Sequence, residues 1–160
     1  LSKLFSFKGS YKVVGEIYGD DLVPLEYSQF WKTNKKERDV KISFKKGNVV
    51  SLIQYPIEKE FLRIDTGSLK NYSDPLTSFL KLLNGSLESK TIDGRRVYTF
   101  LYIEGENGVR KYIVKNFTNL WADHKRNDLD YISFESGSAQ FIPRSIYVSF
   151  KGRLFKVLID

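Results

Sequence analysis

Along most of the chain, apolar and polar residues alternate with a period of two. The clearest instance sets Val40, Ile42 and Phe44 on one side and Lys41, Ser43 and Lys45 on the other, the signature of a strand with one wet face. Lys46-Gly47-Asn48 supplies a tight turn, and Val49 to Tyr55 returns as the partner strand of a hairpin that stops before Pro56. Upstream, Ser10 to Gly19 reads as a strand containing Gly15. It is followed by a second strand to about Lys32 with Val23, Leu25, Tyr27, Gln29 and Trp31 on one face. Leu1 to Phe7 has the spacing of a single helical turn. Downstream the expected strands are Leu87 to Ile92, Val97 to Glu104 with both faces buried, Val109 to Lys115, Phe117 to Ala122, Tyr131 to Glu135, Phe141 to Phe150 and Leu154 to Ile159. The turns between them are rich in Gly, Asn and Asp.

One stretch departs from the period of two. Leu76, Phe79, Leu80 and Leu83 fall at i, i+3, i+4 and i+7, which predicts an amphipathic helix over Asp74 to Asn84 with these four residues facing the sheet. Ser73 or Asp74 caps its first turn, Pro75 fits the position whose N–H has no partner, and Gly85 suits a left-handed stop. Ile57 to Tyr72 carries only a weak pattern. The expected fold is mainly β: an antiparallel curled sheet or incomplete barrel with one amphipathic helix, in one domain spanning 1-160.

Composition narrows the chemistry. The 160 residues include no cysteine, which excludes thiol catalysis and cysteine-ligated metal without assigning a compartment. His124 is the only histidine, and Asp123, Asp128 and Asp130 beside it lack the glycine and distal glutamate of a calcium loop, so no metal site is expected. Ser136-Gly137-Ser138 is not a nucleophile elbow, and no glycine-rich phosphate loop is present. No catalytic residue and no cofactor is therefore assigned.

The formal net charge of +7 raises nucleic acid and anionic membrane as partners. The positive residues, however, come in small knots at expected turns (Lys35, Lys36 and Arg38; Lys45 and Lys46; Arg95 and Arg96; Lys125 and Arg126), which reads as a solvated surface rather than a binding stripe. Tyr98, Phe100 and Tyr102 share a strand face as an RNA-stacking platform would. Without the recognition octamer or a βαββαβ order they are better explained as core, and no specific nucleic acid is expected. No run approaches the length of a membrane-spanning helix, and Leu1 to Phe7 is not a signal peptide.

Three segments in order resemble a bacterial cell-envelope family of unknown function. They are Leu22-Val23-Pro24-Leu25-Glu26-Tyr27 followed by Lys35-Lys36-Glu37-Arg38 and the strand Val40 to Phe44; Asp74-Pro75-Leu76-Thr77-Ser78-Phe79; and Phe141-Ile142-Pro143-Arg144-Ser145-Ile146 with the closing strand to Leu158. The resemblance implies a periplasmic or exported protein with a fold similar to the lipoprotein carriers LolA and LolB, and further strands and a leader upstream of residue 1. It also implies a non-enzymatic role in binding a lipid, acyl chain or lipidated partner in the concave sheet. Trp31, Leu76, Phe79, Leu80, Leu83, Tyr98, Phe100 and Tyr102 are the candidates for an apolar cavity. The alternative is an interaction module whose basic surface docks on anionic membrane or nucleic acid. If upstream strands are absent, Ser10 to Gly19 becomes a free edge, expected to pair with the same strand of a second copy in a homodimer or to be covered by a borrowed strand.

Overall fold

The first four strands form a four-stranded antiparallel meander: β1 (Phe7–Tyr18), β2 (Asp21–Thr33), β3 (Glu37–Lys45) and β4 (Asn48–Tyr55), in the order β1-β2-β3-β4. The computed structural model describes residues 6–103, 107–122, 127–135 and 142–159. The expectations for Leu1 to Phe5, for Glu104, for Asp123 to Arg126 and for Ser136 to Phe141 lie outside the described residues. Beyond β4 come a 3₁₀ turn (Thr66–Ser68), β5 (Tyr72–Ser73) and the helix α1 (Pro75–Leu83). The remaining strands are β6 (Glu88–Ile92), β7 (Arg96–Ile103), β8 (Val109–Asn119), β9 (Leu129–Glu135), β10 (Ser145–Phe150) and β11 (Arg153–Leu158). They build a second sheet in the order β11-β10-β9-β8-β7-β6-β5, antiparallel except for the short β5–β6 pair.

The fold is thus mainly β with one α-helix among the described residues, and its sheets are open rather than closed barrels. The strands divide between two sheets. Val40, Ile42 and Phe44 of β3 do face inward as their alternation predicts. With Tyr27 and Val49 they meet Ile92, Val97 and Leu120 from the other sheet to form the core between the layers. A second cluster lies under the helix, where Leu82 packs among Tyr98, Phe100, Tyr112 and Phe134. Because Val97 belongs to the first cluster and Tyr98 to the second, β7 is buried on both faces over Val97 to Phe100. Tyr102, farther along, is 40% exposed.

Three expectations change. Phe117 to Ala122 is not a separate strand, for β8 runs unbroken from Val109 to Asn119, its register against β7 shifted between Val97 and Thr99. The tenth strand begins at Ser145 rather than Phe141. The helix is present with its predicted start: the Asp74 carboxylate accepts hydrogen bonds from the N–H groups of Leu76 (2.9 Å) and Thr77 (3.0 Å) and from Thr77 Oγ1 (2.6 Å). Leu76, Phe79 and Leu83 of the predicted stripe are half-buried and pack on the two clusters, but the most deeply buried helix residues, Thr77, Ser78 and Leu82, lie beside that stripe rather than on it. Leu80 is 44% exposed, while Leu82 is fully buried. The cause is a polar residue on the inward side. Ser78 Oγ accepts hydrogen bonds from Thr91 Oγ1 (2.7 Å) and Ser89 Oγ (3.0 Å) of β6, which seats the Ser78–Leu82 line on the sheet and leaves Leu80 outside.

Candidate functional site

Where β2 runs against β1, the strand register shifts between Val14 and Gly15, so that Leu25 is an extra residue on β2. The bulge brings the β2 backbone close to β1. A Cβ on Gly15 would lie 2.6 Å from Val23 O, so only glycine fits there. It also aims the tip of the β1–β2 hairpin toward the β3–β4 turn, where Lys46 and Gly47 both have positive φ as a tight two-residue hairpin requires. That turn is tied to the segment before the helix, because Tyr72 N–H donates to Gly47 O (3.1 Å) and Val49 N–H to Leu69 O (3.2 Å).

Between these pieces opens a cleft of about 760 Å³. Val23, Pro24, Leu25, Phe44 and Tyr72 form its apolar walls, and Lys45, Lys46 and Lys81 stand at its edge with Glu16, Tyr18 and Asp21. Asp21 pairs with Lys81 (3.7 Å), and Tyr18 Oη donates to the Glu16 carboxylate (2.5 Å), whose hydrogen bond and charge push the Tyr18 pKa up. Lys45 and Lys46 form no ion pair among the described residues, so two exposed ammonium groups stand beside an apolar wall. A shallower hollow of about 280 Å³ shares Asn71, Ser73 and Lys81 with this cleft.

A smaller recess of about 200 Å³ is lined by Gln29, Trp31, Arg38, Val40, Asp93, Arg95, Arg96 and Phe150. Here arginines and acids form a grid between the two sheets. Arg96 bonds Asp93 through Nε (2.8 Å) and Asp128 through Nη1 (2.9 Å), and its guanidinium lies 5.6 Å from the Phe117 ring centre. Glu58 accepts from Arg95 Nη1 (2.6 Å) and from Gln54 Nε2 (3.3 Å), while Arg38 Nη1 donates to Gln54 Oε1 (2.8 Å). These contacts join the β6–β7 turn, the chain after β4 and the start of β9 into one half-buried network. With charges of both signs matched at close range, it clasps the sheets together.

The structure does not bring the eight sequence candidates together around one opening. Tyr98 and Phe100 are buried in the cluster under the helix, where Phe79 and Leu83 pack against them; Phe79 meets Phe134 edge-on (5.2 Å). Leu76 packs on the inter-sheet core, Leu80 faces outward, and Tyr102 lies edge-on to Tyr112 (5.5 Å) near the surface. Trp31 lines the arginine-rich recess. Of the cleft's own residues, Val23, Leu25, Lys45 and Lys46 are legible only as strand and turn positions and Tyr72 only as the end of a weakly patterned stretch; their convergence depends on the bulge at Leu25, which leaves no mark in the alternation. Arg95 and Arg96, expected on a solvated turn, are instead half-buried and ion-paired. Comparison of this chain with protein-family models, with curated proteins and with solved structures gives no significant match.

Proposed function

We propose that this chain is a non-enzymatic binding domain of the bacterial cell envelope that takes the apolar end of an anionic amphiphile into the cleft between the β1–β2 tip, the β3–β4 turn and β5. The observation that supports it is the pairing of apolar walls (Val23, Pro24, Leu25, Phe44) with Lys45 and Lys46 in a concavity of about 760 Å³. That volume is in the range of small-molecule sites, roughly 300–1,000 Å³. The acyl portion loses water against the walls, and the head group meets the two ammonium groups. The assignment to the envelope rests on the sequence resemblance.

Titration with oleate and with its uncharged methyl ester, followed by calorimetry, tests this reading. Saturable binding of oleate is expected, lost in Leu25→Asp, which puts a charge on the wall. The pair Lys45→Glu and Lys46→Glu is expected to weaken oleate more than the ester. Raising the salt concentration should leave the ester's affinity nearly unchanged. Absence of saturable binding, or equal affinity in Leu25→Asp, refutes the proposal. Binding to anionic vesicles or duplex DNA that survives Leu25→Asp and disappears steeply with salt would favour docking through the basic surface instead.

A further inference from the structure

β1 is the outer strand of the first sheet, hydrogen-bonded to β2 on one side and to no other strand among the described residues. It is 12 residues long, and Phe7, Tyr11, Val14, Ile17 and Tyr18 are all exposed, Ile17 to 73%. Soluble proteins ordinarily shorten, charge or cover such an edge, because its free N–H and C=O groups are a template for another strand. We propose that β1 pairs antiparallel with β1 of a second copy of this chain about a two-fold axis through Val14, joining the two four-stranded sheets into one.

The register follows from geometry and charge. In an edge strand alternate residues direct both backbone groups to the free side, so two copies of one strand match only when like-oriented residues face each other. The axis must therefore pass through a residue, not between two. Centred on Lys12, the pairing sets Lys12 against its own copy; centred on Val13, it sets Lys12 against Val14 and Glu16 against Ser10; centred on Gly15, it sets Lys12 against Tyr18 and Glu16 against Val14. Centred on Val14, it sets Lys12 against Glu16 twice and Tyr11 against Ile17 twice, with Val14 meeting itself on the axis. Opposite charges and aromatic–β-branched pairs directly across strands are favourable, and like charges there are not. Of these registers, only the one through Val14 sets opposite charges across from each other. The interface is isologous, so it closes at two copies. It shares Glu16 and Tyr18 with the edge of the cleft but needs no ligand there.

Sedimentation equilibrium of the full chain from micromolar to millimolar concentration should fit a monomer–dimer equilibrium. Lys12→Glu and Glu16→Lys each place like charges across both pairs and should raise the dissociation constant at least about tenfold, whereas the double variant should return it to near the parent value. The chain has no cysteine, so Val14→Cys introduces a single thiol. Across the axis the two Cα atoms would stand roughly 4.5–5.5 Å apart, within disulfide reach. Mild oxidation should link Val14→Cys into dimers much faster than Lys8→Cys, whose copies lie at opposite ends of the pairing. Unchanged far-UV circular dichroism would show that the variants fold. A strict monomer, growth beyond the dimer through the exposed edge strand β11, failure of the double variant to restore pairing, or equal cross-linking of the two cysteine variants would each overturn the proposal.

Discussion

Leu82→Ala and Leu80→Asp form a pair of substitutions whose effects are ordered by the seating of the helix. Leu82 is fully buried among Tyr98, Phe100, Tyr112 and Phe134, and its carbonyl accepts the Tyr112 hydroxyl (3.1 Å). Replacing it with Ala removes three buried carbon atoms, about 0.8 kcal/mol each, and leaves a cavity in a wall of aromatic rings that relax little; a loss of about 3–4 kcal/mol is expected. Leu80 is 44% exposed, so an aspartate there remains hydrated, and about 1 kcal/mol or less should be lost. In a domain of this size 1 kcal/mol corresponds to roughly 2–4 °C, so the two variants should differ in melting temperature by about 4–16 °C. Urea unfolding followed by the fluorescence of Trp31 and Trp121, both half-buried, measures the same difference as a change in midpoint. A larger loss from Leu80→Asp than from Leu82→Ala would mean that the apolar stripe, not the Ser78–Leu82 line, faces the sheet, and would refute the helix seating described above.

Asp128→Ala takes away a buried partner of Arg96 and should cost about 3 kcal/mol, the low end for a broken buried pair because Asp93 still holds the guanidinium; urea unfolding checks it, and a loss below about 1 kcal/mol would show that the network contributes little. At Asp74, burial raises the carboxyl pKa against the lowering effect of its hydrogen bonds to Thr77 and Leu76. Its folded pKa lies above the unfolded value, so this group's contribution is full below about pH 3.9 and is lost as pH rises through the folded pKa. Asp74→Asn, which keeps an acceptor for the helix amides, should therefore flatten the fall of melting temperature across that acid range, and an unchanged slope would count against a raised pKa.

Much of the fold is local in origin and was open to reading. The alternation of Val40, Ile42 and Phe44, the Lys46-Gly47 turn and the Asp74-Pro75 helix start each depend on a few adjacent residues, because pleat, turn and cap geometry are set within the span of one element. The outer position of β1 also matches the edge expected of Ser10 to Gly19. What the tertiary structure alone decided are the matters that need two elements at once. Periodicity tells how apolar residues are spaced along a helix but not which side meets the sheet. The hydroxyls of Ser89 and Thr91, distant in sequence, turn Ser78 inward and Leu80 out. The same holds for Arg95 and Arg96, which a turn-rich context marks as solvated until Glu58 and Asp128 arrive from distant parts of the chain to join Asp93 of the same turn. The cleft is the strongest case. Its walls come from β2, β3 and β5, and they converge because one extra residue at Leu25 bends a hairpin, a change in register that no pattern of hydrophobicity records.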